Sequence, residues 1–169
     1  MNITQSFAEK IGDFRLPRYC ELPNVGLYLE QVTKYINGVI SPLGFAEMTP
    51  SMISNYVKKG VIDPPQKKLY FAEHLAYLIF VGIGKNVVSI DDISKIYEMQ
   101  KNIYTTPIAY DYFCSEFENM LLYIAKKKDE PEVIGVTDTD LKTMFRSLII
   151  CATNLVFVTN ALNELKERE

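Results

Sequence analysis

Apolar residues recur every three or four positions through most of this 169-residue chain, and the breaks in that rhythm divide it into helices. A short helix is predicted over Ile3 to Ile11. Prolines in Phe14-Arg15-Leu16-Pro17 and Leu22-Pro23 interrupt regular structure, so the segment up to residue 23 is expected to form a strap across the domain. Arg15 and Arg18 are read as its surface charges. From Asn24, read as a cap, Leu27, Tyr28, Val32, Tyr35, Ile36 and Val39 keep helical spacing as far as Ile40. The link from Ser41 to Glu47 carries Pro42 and Gly44. Thr49-Pro50 then opens a helix, because the hydroxyl can accept an orphan N–H and proline at the first position loses nothing by lacking its own. Ile53, Tyr56 and Val57 form its apolar stripe, and Gly60 stands where a left-handed cap is wanted.

Phe71 to Gly84 is apolar around nearly its whole circumference, the pattern of a buried helix, and His74 within it is read as structural. Ser89-Ile90-Asp91-Asp92 resembles a capping box with Asp92 in the place of glutamate or glutamine, and Ile93, Ile96 and Tyr97 form the inward stripe of the helix that follows. Thr106-Pro107 opens a longer helix, expected to reach about Lys128, whose aromatic stripe of Tyr110, Phe113 and Phe117 is read as core. Asp129-Glu130-Pro131-Glu132 breaks it. A last helix is predicted from Thr137 or Asp138 to about Leu165. Its centre, 145–158, is apolar on nearly every side, but Arg146, Ser147, Thr153, Asn154 and Asn160 interrupt the ~20 predominantly apolar residues that a bilayer requires. No membrane span is expected. The fold class is mainly all-α, with one part over residues 1–104 and a C-terminal two-helix module over 105–169 that completes the core or pairs with a second copy.

Composition narrows the function. At 48% hydrophobic and 12% aromatic residues the chain has the material for a packed core, which excludes a disordered chain. The net charge is −3, yet Lys58, Lys59, Lys67 and Lys68 against Asp63 leave residues 49–70 at +3 and the remainder at −6. A cationic surface on an acidic body suits a protein that meets nucleic acid on one side only. Cys20, Cys114 and Cys151 are far apart and the chain has one histidine, so no usual zinc ligand set can be assembled. No metal or other cofactor is expected. The odd cysteine count and the lack of a signal peptide point to the cytoplasm. Phosphate loop, nucleophile elbow and catalytic histidine constellation are all missing from the sequence, Glu116 and Glu118 do not share a helix face, and Asp91 and Asp92 read as caps. An enzyme is not expected.

The stretch from Met48 to Tyr70, MTPSMISNYVKKGVIDPPQKKLY, carries the most specific chemistry. Opposite its apolar stripe, the helix from Pro50 presents Ser51, Ser54, Asn55, Lys58 and Lys59. Val61-Ile62 and Gln66 to Tyr70, on either side of Asp63-Pro64-Pro65, are expected to pair as a two-stranded wing, with a plain loop as the alternative. The run Met48-Thr49-Pro50 through Lys58-Lys59-Gly60-Val61-Ile62, with Tyr70 and Ser89-Ile90-Asp91-Asp92-Ile93, resembles the winged helix-turn-helix of MerR-type transcription regulators. LPRYCELPN, TPSMISNYVKKGVIDPP and KKLYFAEHLAYLIF resemble, more narrowly, a bacterial domain-of-unknown-function family built on that module, over roughly residues 15–100.

The resemblance implies a DNA-binding transcription regulator. Its contacts with double-stranded DNA would come from Thr49, Ser51, Ser54, Asn55, Lys58, Lys59, Lys67, Lys68 and Tyr70, and the regulator would act as a homodimer. The MerR-type pattern carries an arginine and a tyrosine where this chain has Ser54 and Asn55, and an arginine where it has Lys68. Those departures keep open a second reading, a non-enzymatic protein-interaction module that has kept the winged fold and lost DNA binding. A small-molecule effector, if one exists, is not named by the sequence.

Overall fold

Thr49 does what its place before Pro50 suggests: its hydroxyl oxygen accepts the Met52 amide at 3.2 Å and starts a helix, one of seven α-helices in a structure with no strand among the described residues. The structure, a computed structural model, describes residues 2–135 and 138–169. In chain order the helices are α1 (Ile3–Ile11), α2 (Leu29–Ile40), α3 (Pro50–Lys58), α4 (Ala72–Gly84), α5 (Ile90–Lys101), α6 (Thr106–Ile124) and α7 (Asp140–Glu167), with short 3-10 turns at Tyr19–Glu21 and Ser41–Leu43. The all-α expectation is met.

Apolar on almost every side, α4 lies at the centre and packs against α2, α5, α6 and α7. Phe80 joins its neighbours through rings: its centroid lies 5.3 Å from that of Phe113 on α6 and 5.5 Å from that of Phe145 on α7. Phe7 of α1 meets Phe157 of α7 edge-on at 5.1 Å. Side chains of this size contribute roughly 1.5–3 kcal/mol each when fully buried, so the fold rests mainly on this contact set, which runs through both the N-terminal and C-terminal parts.

The strap is bolted to α6. Arg18 grips Glu118 with two parallel bonds of 2.8 and 2.7 Å, and Glu118 also accepts the Leu16 amide at 2.8 Å. Asp111 accepts the Tyr19 amide at 2.7 Å, and Tyr110 Oη donates to the Pro17 carbonyl at 2.9 Å. Arg18 is therefore a tie rather than a surface charge. Arg15 fits the sequence reading, exposed and paired with Glu21 at 2.9 Å.

Three boundaries differ from expectation, each for a local reason. First, α2 starts at Leu29, not near Asn24: Leu27 is extended and exchanges backbone hydrogen bonds with Tyr70, and Gln31 accepts the Tyr28 amide at 2.8 Å, so Tyr28 is the cap. Second, α6 ends at Ile124, short of Lys128, because Lys126 turns left-handed (φ 55°) and the amides of Lys126 and Lys127 close back on the carbonyls of Tyr123 and Leu122. Third, α7 begins at Asp140, where the Thr139 hydroxyl oxygen accepts the Lys142 amide at 3.2 Å. Asp138 precedes the helix, and Thr137, the other expected start, lies outside the described residues.

The last helix is long and apolar enough to cross a membrane by length and composition, with mean hydropathy 1.5 over 18 residues, a third of them buried. Its inward face carries Leu148, Ile149, Ala152 and Val156, and its buried Thr153 bonds back to the Ile149 carbonyl at 2.9 Å.

Candidate nucleic-acid interface

Spacing of three and four residues along α3 places Ser51, Asn55, Lys58 and Lys59 together on one exposed side, while Ile53 and Tyr56 are buried on the other. Ser54 is half-buried at the edge of that side. Thr49 is exposed, with its oxygen already committed to the cap. Lys58 stands in the last turn, where a cation faces the negative end of the helix dipole.

The helix ends as its sequence predicts. Gly60 is left-handed (φ 70°), its amide reaches the Val57 carbonyl at 3.0 Å, and the Val61 amide reaches Tyr56 at 2.9 Å. That closure has a consequence for the expected wing. Val61 and Ile62 both direct their amides to the Tyr56 carbonyl and bury their side chains, so they do not pair with the segment from Gln66 to Tyr70. The expected two-stranded wing is replaced by a smaller device. Gln66 and Leu69 exchange two backbone bonds of 2.9 Å across a turn whose central residues, Lys67 and Lys68, have φ of 49° and 68°. Tyr70 then pairs with Leu27.

Lys67 and Lys68 thus stand at the exposed tip of a tight turn. Two consecutive left-handed residues are the signature of a turn that favours Asn-Gly, and lysine there is a strained choice. Tyr70 must be withdrawn from the contact residues that the sequence suggested. Its side chain is buried and its ring packs edge-on against His74 at 5.4 Å. His74 in turn accepts the Phe71 amide on Nδ1 at 3.0 Å and faces the Pro64 carbonyl with Nε2 at 3.3 Å, an arrangement for the neutral ring with its proton on Nε2. It pins residue 64 of the turn segment to the start of α4.

Two asparagines that the sequence reading gave no such role hold α3 in place. Asn37, on α2, bonds both the amide and the carbonyl of Met48 at 2.8 Å, one residue before the Thr49 cap. Asn160, on α7, donates to the Leu43 carbonyl at 3.0 Å, where the 3-10 turn closes with left-handed Gly44 (φ 81°). The link between α2 and α3 is therefore fixed at both ends. A signal for Asn37 did exist, a polar residue beside Ile36 in an apolar stripe, since buried polar groups need partners.

Among the described residues, Lys58, Lys59, Lys67 and Lys68 are all exposed and none forms an ion pair. Asp63, the one acid in this stretch, has its carboxylate 3.9 Å from Lys101. The exposed side of α3 and the turn tip each carry two unpaired lysines, and no cluster of metal-ligating side chains occurs among the described residues.

Residues 17–113 match the model of a family described as Domain of unknown function (DUF1836), more than half of the chain. No curated protein and no solved structure matches.

Proposed function

We propose that this chain, which belongs to the DUF1836 family, is a DNA-binding transcription regulator of helix-turn-helix type, with α3 in the major groove and the Lys67-Lys68 turn, in the place of a wing, against the phosphate backbone. The observation that carries the reading is the exposed side of α3, where Ser51, Asn55, Lys58 and Lys59 stand together on a helix whose approach is fixed by Asn37. Asn55 has the donor and acceptor to bond adenine at N6 and N7, Ser51 can bond a base edge or a phosphate, and the lysines position the helix electrostatically. On α7, Val158, Leu162 and Leu165 are exposed at helical spacing and supply an apolar surface for pairing two copies, which would present two such helices to a two-fold site.

Four lysine contacts per subunit imply a slope of log affinity against log salt of roughly −3 to −4. The test is a titration of duplex DNA at two salt concentrations against the wild type and the Lys58→Glu, Lys68→Glu double variant. Loss of binding by the folded variant supports the interface; equal affinity at equal salt removes it. A second reading, a protein-interaction module that has lost DNA binding, is favoured by Ser54 and Asn55 standing where the MerR-type pattern has arginine and tyrosine. It is the reading left if the wild type shows no salt-dependent binding.

A further inference from the structure

Away from α3, the end of α5, the first half of α6 and the first turns of α7 enclose a pocket of about 220 Å³. An apolar cavity of ~150 Å³ is large enough to take up benzene, so this one accommodates a single ring with a short substituent. Its walls are made chiefly by the rings of Tyr104, Tyr112 and Phe145 and the side chains of Ile108 and Leu141. Aromatic walls favour a flat apolar guest, which they can meet face-on or edge-on.

Two polar groups of the lining are spent, while the buried Tyr112 hydroxyl has no hydrogen-bond partner among the described residues. The Gln100 amide donates to the Tyr104 carbonyl at 3.0 Å, and the Thr139 oxygen caps α7. Arg146, one turn further along α7, is bound to buried Glu116 at 3.1 Å. Lys142 is different: its ammonium has no ion pair among the described residues and lies 5.9 Å from the centre of the Tyr112 ring. It stands beside Gly135, left-handed at φ 83°, where an added Cβ would come within 2.9 Å of Nζ. Gly135 thus leaves room for the ammonium at the edge of the pocket.

We propose that this pocket binds a small aromatic monocarboxylate, with its ring between Tyr104, Tyr112 and Phe145 and its carboxylate on Lys142. One unpaired ammonium matches one negative charge; a phosphate dianion would call for a second cation, and the lining carries none besides Lys142. The site is separate from α3, and the proposal stands whether or not the chain binds DNA.

The test uses the full chain without DNA, with hydrocinnamate as probe and hydrocinnamyl alcohol as its neutral counterpart, followed by calorimetry and backbone amide NMR. The expected result is saturable hydrocinnamate binding that shifts the amides of Gly135 and Lys142, with the alcohol weaker by about tenfold or more. Lys142→Gln, whose fold is checked by the same spectra, should bring hydrocinnamate down to the affinity of the alcohol and leave the alcohol unchanged. The proposal is overturned by the absence of saturable shifts at these amides in the folded protein, by equal affinity for acid and alcohol, or by hydrocinnamate binding that Lys142→Gln does not weaken.

Discussion

Asn37 holds Met48 by both backbone groups: its Nδ2 donates to the Met48 carbonyl and its Oδ1 accepts the Met48 amide, each at 2.8 Å. This pair couples the direction of α3 to α2, which packs on the central helix α4. Asn37→Ala leaves a donor and an acceptor without partners and should cost about 2–3 kcal/mol. Urea unfolding would show this as a lower midpoint at unchanged slope. If α3 is the DNA-contacting helix, the variant should also lose DNA affinity at temperatures where it is still folded; full affinity would mean that its orientation does not matter.

The turn at Lys67 and Lys68 separates charge from conformation. Both residues are left-handed, so replacing the pair with Asn-Gly should relieve strain and raise stability, by about 1 kcal/mol. The same change removes two of the four cations and should weaken DNA binding and flatten its salt dependence. Melting temperature and affinity would thus move in opposite directions. A variant that is more stable and binds as before would show that the turn lysines do not touch DNA.

Cys114 gives a test of the core. Burial pushes its thiol up to about 12, and its Sγ lies 3.7 Å from the Pro17 carbonyl. An unfolded thiol ionises near 8.5, so between about pH 8.5 and 12 the unfolded chain releases a proton that the folded chain keeps. The contribution to stability is therefore complete below about pH 8.5 and lost as pH rises, at up to about 1.4 kcal/mol per pH unit. Tyr110, also pushed up by burial, adds to the decline at higher pH. Cys114→Ala should make the alkaline fall shallower. Under native conditions a thiol reagent should modify exposed Cys20 and Cys151 promptly and Cys114 only on unfolding. Three equally fast thiols would contradict the packing of the strap on α6.

What the sequence revealed and what it hid follow from the range of the interactions. Thr49, Gly60 and Ser89 act on groups within three residues of themselves, and their roles could be read from the local pattern. The partner of Tyr70 could not. Leu27, which pairs with it, lies 43 positions upstream in a stretch with helical spacing, and only the folded chain brings the two together. Val61 and Ile62 look like a strand by their β-branched side chains, yet the Tyr56 carbonyl takes both amides first. Arg18 and Glu118 are 100 residues apart, so their ion pair left no local trace. The four lysines were visible as a charge excess, although their arrangement, two on a helix side and two at a turn tip, was only half foreseen.

DNA binding is measured most directly by selection of the purified protein against a random duplex pool, with the enriched sequence then titrated at two salt concentrations. A dimeric DNA reader should enrich a two-fold motif whose affinity falls as salt rises. A folded protein that enriches no sequence would contradict that reading.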